Sequence, residues 1–152
     1  MKVLSYNVRG FGGGGKKREV REMIAKERLD VVFIQETKID VLEERISRAI
    51  WGRGDFDWVM KSAIGSSGGI LCLWNQNSIK AQNKVEGFGF CGFEGQWGSE
   101  GVPCIFINVY APCDKQERRR VWTELQVMLS NYNDRWWCIG GDFNAIRSVE
   151  EK

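Results

Sequence analysis

The 152 residues contain no histidine. That absence removes Ser-His-Asp and Cys-His catalysis, histidine-ligated zinc and any imidazole general base from this chain. Cysteine is present but unpatterned. Cys72, Cys91, Cys104, Cys113 and Cys138 are odd in number and never spaced C-x-x-C, so neither a disulfide framework nor a thiolate zinc site is expected. Several lie in apolar runs, where a small buried hydrophobe is the expected role. The pattern suits a reduced, intracellular protein, with nucleus or cytoplasm unresolved. Long apolar runs are missing as well. Val31–Ile34 and Ile70–Leu73 fall far short of the ~18 residues of a spanning helix, and Met1–Phe11 is too polar for a secretory signal. No membrane partner is expected. Charge of one sign is also lacking: 22 basic against 20 acidic residues leave +2. Charge alone therefore does not imply nucleic acid, and such a partner would have to be argued from a site.

What is present suits one domain over residues 1–152, with 43% hydrophobic and 12% aromatic residues to build a core. Lys2–Val8 alternates like a strand, Gly10–Gly15 breaks it, and Lys16–Leu29 carries Val20, Met23 and Ile24 at helical spacing. Val31–Gln35 is a buried type of strand, so strand, helix and strand form a parallel crossover unit. Val41–Ile50 is a second helix. Phe56–Lys61, Gly69–Trp74, Ala81–Phe93 and Pro103–Tyr110 are strand-like runs with short, antiparallel-type connections. Asp114–Tyr132 is a third helix and Arg135–Gly140 a last strand. The expected architecture is α/β, a mixed sheet with helices on one side.

Polar residues gather where apolar strands end. Val3, Ser5 and Asn7 share one face by period two, as do Val32, Ile34 and Glu36. Asp142 and Asn144 share a face if the chain stays extended. Ligand sites of α/β sheets lie at strand carboxyl ends. Two carboxylates and two amides there are costly to bury without an ion or hydrogen bonds. The chemistry points to a hard cation such as Mg²⁺, which takes oxygen ligands from one or two carboxylates plus water and phosphate. Glu36 is the natural ligand and Asp142 suits a water. Asn7 and Asn144 suit a phosphate oxygen or that water.

Gly10-Phe11-Gly12-Gly13-Gly14-Gly15 also satisfies the dinucleotide fingerprint G-x-G-x-x-G, with Glu36 where a ribose-binding acid would lie. A nucleotide-binding α/β protein is thus a competing reading. The same loop nearly matches a P-loop, but Lys17 stands where Ser or Thr must bind Mg²⁺. Lys16, Lys17 and Arg18 are either a solvated face or an attractor of phosphate, and Arg118-Arg119-Arg120 is expected to be a solvated helix face.

Four blocks then carry a family likeness: Ser5-Tyr6-Asn7-Val8-Arg9-Gly10, Gln35-Glu36-Thr37-Lys38, Asn108-Val109-Tyr110-Ala111-Pro112 and Gly141-Asp142-Phe143-Asn144. In this order they resemble the endonuclease/exonuclease/phosphatase superfamily. More narrowly, with Ala145-Ile146-Arg147-Ser148 following, they resemble the amino-terminal endonuclease domain of plant non-LTR (LINE-type) retrotransposons. The resemblance implies a mixed-sheet, DNase I-like α/β sandwich with helices outside, and cleavage of DNA phosphodiesters with Mg²⁺ or Mn²⁺. It makes Glu36 the metal ligand, with Asn7 beside it at metal and phosphate. Tyr110 becomes a phosphate contact, Asp142 the residue that aligns or activates water, and Asn144 a stabiliser of the phosphorane-like charge. Lys38 and Arg9 would touch substrate. The family's closing half, with a further aspartate and a Ser-Asp-His block, has no counterpart here. The domain is therefore expected to lack its C-terminal part, and activity to be absent or severely impaired. Such a chain would be a remnant, with weak metal or DNA binding at most. A half-sandwich missing most of one sheet would also expose Ile105–Val109 and Trp136–Ile139, inviting self-association through strand edges.

Overall fold

A computed structural model describes residues 1–64 and 67–145. In chain order the elements are β1 (Val3–Asn7), α1 (Gly14–Glu27), β2 (Val31–Gln35), α2 (Glu44–Trp51), β3 (Phe56–Ile64), β4 (Ser67–Asn75), β5 (Ile79–Gly87), β6 (Phe90–Trp97), β7 (Val102–Tyr110), α3 (Lys115–Asn131) and β8 (Trp136–Asp142). They form two four-stranded sheets, β1-β2-β4-β3 and β5-β6-β7-β8. Crossovers through α1 and α3 make β1–β2 and β7–β8 parallel, and the remaining neighbours are antiparallel. None of the helices in the described residues is long and apolar enough to cross a membrane.

The continuous apolar runs of β2 and β7 have a physical cause, because each strand is covered on both faces. Val31 and Phe33 of β2 meet Phe93 and Phe106 between the sheets. There Trp74, Phe93 and Phe106 stack with centroids 3.9 and 4.8 Å apart. Val32 and Ile34 point the other way, beneath Val20 and Ile24 of α1 and Ile50 of α2. In the second sheet Ile105, Ile107 and Val109 lie beneath Val121 and Leu125 of α3. Each fully buried side chain of this size contributes about 1.5–3 kcal/mol.

Several expectations are corrected. Helices cover both outer faces rather than one, because strands apolar all round need a layer on each side. The run Ala81–Phe93 is not one strand. Phe88 and Gly89, the latter at φ +73°, turn it back into the β5–β6 hairpin. The helix expected over Lys16–Leu29 begins two residues earlier, inside the glycine run, and Arg28 in left-handed conformation ends it. Each sheet has four strands among the described residues. Ile105–Val109 is wholly covered, by α3 and by both neighbouring strands. The expected exposure holds for β8, an edge strand among the described residues, whose Trp136 is 74% and Ile139 38% exposed. Its amino end is fastened by Arg135, paired with the buried Glu94 of β6.

Candidate active site

The parallel pairings bring the carboxyl ends of β1, β2, β7 and β8 together at one pole. Asn7 stands opposite Gln35 across the first sheet, and Tyr110 opposite Asp142 across the second. Side-chain amides tie the two sheets beneath this pole. Gln35 Nε2 donates to Asn108 Oδ1 at 2.6 Å and to Ser5 Oγ at 3.2 Å. Asn108 Nδ2 donates to the carbonyls of Ile34 and Leu71, at 3.1 and 3.0 Å. Gln35 and Asn108 are buried, so each amide needs these partners. Neither was singled out as a site residue from the sequence. The available signal was an asparagine inside the apolar run Pro103–Tyr110.

Asn7 lies at the centre of the cluster. Leu4 and Tyr6 pack outward with α1, so alternation aims Asn7 into the seam between the sheets. Its Nδ2 donates to Glu36 Oε1 at 2.8 Å and to Asp142 Oδ2 at 2.9 Å. Its Oδ1 accepts the Arg9 N–H at 3.0 Å. One amide thus spans two carboxylates from different sheets.

Glu36 reaches this position by leaving the strand pattern. Val32 and Ile34 face outward, and alternation would send Glu36 after them. Instead β2 ends at Gln35, and Glu36 takes φ +54°. Arg9, Lys38 and Asn144 are left-handed too, at φ +50°, +54° and +45°. Four of the five described non-glycine residues with positive φ therefore lie around this cluster. Strained backbone of this kind costs of order 1–3 kcal/mol per residue and concentrates at functional sites. The loops are locked by close approach. Gly10 N donates to Glu36 O, and a β-carbon on Gly10 would lie 2.9 Å from Lys38 Cδ. A β-carbon on Gly69 would lie 2.2 Å from Oγ1 of the buried Thr37.

Tyr110 is half-buried beside the carboxylates. Burial, then the Glu36 charge and hydrogen bonding to it, and then the Asp142 charge push its phenol up to about 12. It therefore stays protonated, as a hydrogen-bond donor, at neutral pH. Asn144 does not continue an extended face with Asp142. Its N–H donates to Asp142 Oδ1 at 3.0 Å, and its side-chain amide turns to Ala111 O at 2.6 Å. Arg9 and Lys38 are exposed at the rim. Ser5, Asn7, Gln35, Asp142 and Asn144 line an open groove of about 570 Å³. Residues 146–148 of the closing block lie outside the described residues.

The glycine loop serves a different end from either phosphate-binding motif. Lys16 Nζ donates to the carbonyls of Val8 and Gly10, and Lys17 Nζ to that of Phe11. Both ammonium groups thus bind the loop itself. Beyond β2 the sheet continues with antiparallel β4 rather than a second parallel crossover, unlike a dinucleotide-binding fold.

Among the described residues no three His, Cys, Asp or Glu side chains cluster as a metal cage. The site offers two carboxylates and an amide. The carboxylate oxygens fit a hard divalent cation that keeps several waters, while the Asn7 amide presents its nitrogen to them, and the set does not fit a closed structural site.

A family model described as "Endonuclease/Exonuclease/phosphatase family" matches residues 4–148. No curated protein sequence matches the chain. Among solved structures, one similar fold is an endonuclease/exonuclease/phosphatase family protein from Bacteroides thetaiotaomicron, with TM-score 0.70 and 14% identity, covering 93% of this chain and 62% of that one. A second is truncated Caenorhabditis elegans TDP2, with TM-score 0.69 and 14% identity, covering 99% and 64%. A third is the Bacteroides thetaiotaomicron mannosyl-6-phosphatase Bt3783, with TM-score 0.71 and 16% identity, covering 93% and 64%. The present chain thus spans less than two-thirds of the length of each of these three relatives.

Proposed function

The chain belongs to the endonuclease/exonuclease/phosphatase family, and from that premise we propose that it engages DNA phosphodiesters at the Asn7–Glu36–Asp142 cluster, with Mg²⁺ or Mn²⁺, as a retrotransposon-type endonuclease domain. The observation that carries this reading is the single Asn7 amide held between two carboxylates of opposite sheets. A bound divalent cation supplies charge neutralisation on the phosphate. Glu36 would hold that cation, and Asn7 fixes the Glu36 carboxylate in position. Tyr110 is the neutral donor for a non-bridging phosphate oxygen. Asp142 accepts a hydrogen bond from, and so orients, the attacking water. Asn144 holds Asp142 through its backbone N–H. Lys38 and Arg9 lie where flanking phosphates would pass.

The same chain has no histidine. Absence of a general acid–base group lowers rate typically by 10²–10⁴, so these 152 residues bind cation and DNA but turn over slowly at most. That absence favours a second reading, a binding module without turnover. Nicking of supercoiled plasmid with Mg²⁺, beside Asp142→Ala, separates the two. Nicking abolished by the substitution establishes catalysis by this cluster. No nicking, with cation binding that Glu36→Gln removes, establishes the binding module. Cation binding that ignores Glu36→Gln defeats both.

A further inference from the structure

At the pole opposite the carboxylate cluster, the ends of α1 and α2 and the β4–β5 turn enclose a groove of about 940 Å³. Its walls carry Arg21 and Arg28 from the first helix and its cap, and Arg48 and Arg53 from the second helix and the loop after it. Asn75 and Ser78 stand at one end. Two acids share the lining, and both are engaged elsewhere. Glu22 pairs with Arg18 at 3.8 Å. Asp30 accepts the Lys2 backbone N–H at 2.8 Å and lies 4.0 Å from the chain's amino group. Among the described residues, none of the four arginines is paired with a carboxylate.

The guanidinium groups are placed rather than scattered. Gly52, at φ +91°, gives its missing side chain's space to the Arg21 stem, whose Cγ and Cδ would each lie 3.0 Å from a β-carbon there. Arg48 donates to the carbonyls of Gly52 and Gly54 and lies 4.4 Å over the Phe56 ring. It braces the wall, while Arg21, Arg28 and Arg53 are exposed. Arg21 and Arg28 are seven positions apart, roughly 10 Å along the helix.

We infer that this groove binds the phosphate backbone of a nucleic-acid strand, at a place separate from the carboxylate cluster. Four guanidinium groups against two carboxylates, with amide and hydroxyl donors beside them, match phosphate oxygens. The apolar floor of Ile24, Leu29 and Trp51 is buried, so it offers a peptide partner no exposed anchor. Recognition is by charge and is independent of base sequence.

The test is salt-dependent binding of the full chain to a labelled single strand of roughly 16 nucleotides, followed by anisotropy. Each phosphate contact on a single strand adds about 0.7 to the slope of log K against log salt. Arg28→Gln with Arg53→Gln should lower that slope by about 1.4 and leave the thermal melt unchanged, since neither side chain pairs with a carboxylate among the described residues. Lys80→Gln with Arg119→Gln, two exposed cations outside the groove, should leave the slope as in the parent. An unchanged slope in the double variant overturns the inference. So does a polyglutamate peptide that competes as well as the oligonucleotide, because the groove would then take acidic protein. Binding lost in Asp142→Ala but unaffected by the arginine changes places the strand only at the carboxylate pole. That outcome overturns this inference and leaves the proposed function standing.

Discussion

Replacing Asn7 tests the architecture of the candidate site most directly. Asn7→Ala removes two amide hydrogen bonds to carboxylates, 2.8 and 2.9 Å long. Bonds to charged partners contribute about 1.5–3 kcal/mol each, but the cluster is half-exposed and water replaces part of that. A loss of about 2–3 kcal/mol is expected. At 2–4 °C per kcal/mol for a chain of this size, Tm falls by roughly 4–12 °C. Asn7→Asp is nearly isosteric but places a third carboxylate against Glu36 and Asp142. In chelator it should be less stable than Asn7→Ala by about a further 1–2 kcal/mol, a Coulomb cost reduced by solvent screening. The order must invert when a divalent cation is added. A cation at 100 times its Kd stabilises by about 2.7 kcal/mol, and three carboxylates bind it more tightly than two. The assay is a calorimetric melt of parent, Asn7→Ala and Asn7→Asp, in chelator and then in Mg²⁺ or Mn²⁺. If Asn7→Asp and Asn7→Ala melt together in both conditions, Asn7 does not sit between the carboxylates and the site as described is wrong.

Two further outcomes follow from other residues. The Tyr110 phenol lies above its ordinary 10, at about 12. Its contribution to stability is therefore complete below pH 10 and is lost as pH rises through about 12. Glu36→Gln should move this titration down while burial keeps it above the ordinary value, as read by ultraviolet difference spectroscopy against Tyr110→Phe. No movement would separate Tyr110 from Glu36. On β8, Trp136 and Ile139 leave an apolar edge in water, and we expect concentration-dependent association by light scattering that Trp136→Lys suppresses. A parent that stays monomeric at all concentrations refutes this.

The sequence disclosed whatever depends on neighbours along the chain. Apolar runs of the type Val31–Gln35 announced fully covered strands. Asp114 announced the start of α3, and in the structure its carboxylate accepts the Gln116 and Glu117 N–H groups at 2.8 and 2.9 Å. The residues that converge at the pole were legible as polar ends of apolar strands. Their arrangement was not. Period-two alternation aims Glu36 at the helices, and only the turn to φ +54°, held by Gly10 and the Gly68–Gly69 strand end, brings it to Asn7. A β2 apolar on both faces does not say whether one layer of helices covers it or a helix layer and a second sheet. Asn108 and Gln35 are far apart in the chain, so their cross-sheet bond lies beyond any local pattern. The glycine run matched two phosphate-binding motifs because glycine spacing alone does not record where Lys16 points.

The Asn7 bridge also makes the site a gauge of how firmly the molecule is closed. Among the described residues Asp142 ends a strand with a neighbour on one side only, and edge elements open at lower free energy than the core. When β8 detaches, the Glu36–Asn7–Asp142 chain is severed at once, although β1 and β2 stay folded. Conversely, a ligand that spans Glu36 and Asp142 acts as a reversible cross-link between the two sheets. Amide hydrogen exchange in Trp136–Asp142 should then slow on binding, far more than in β2. Occupancy of the site and docking of the last strand are, on this geometry, two readouts of one equilibrium.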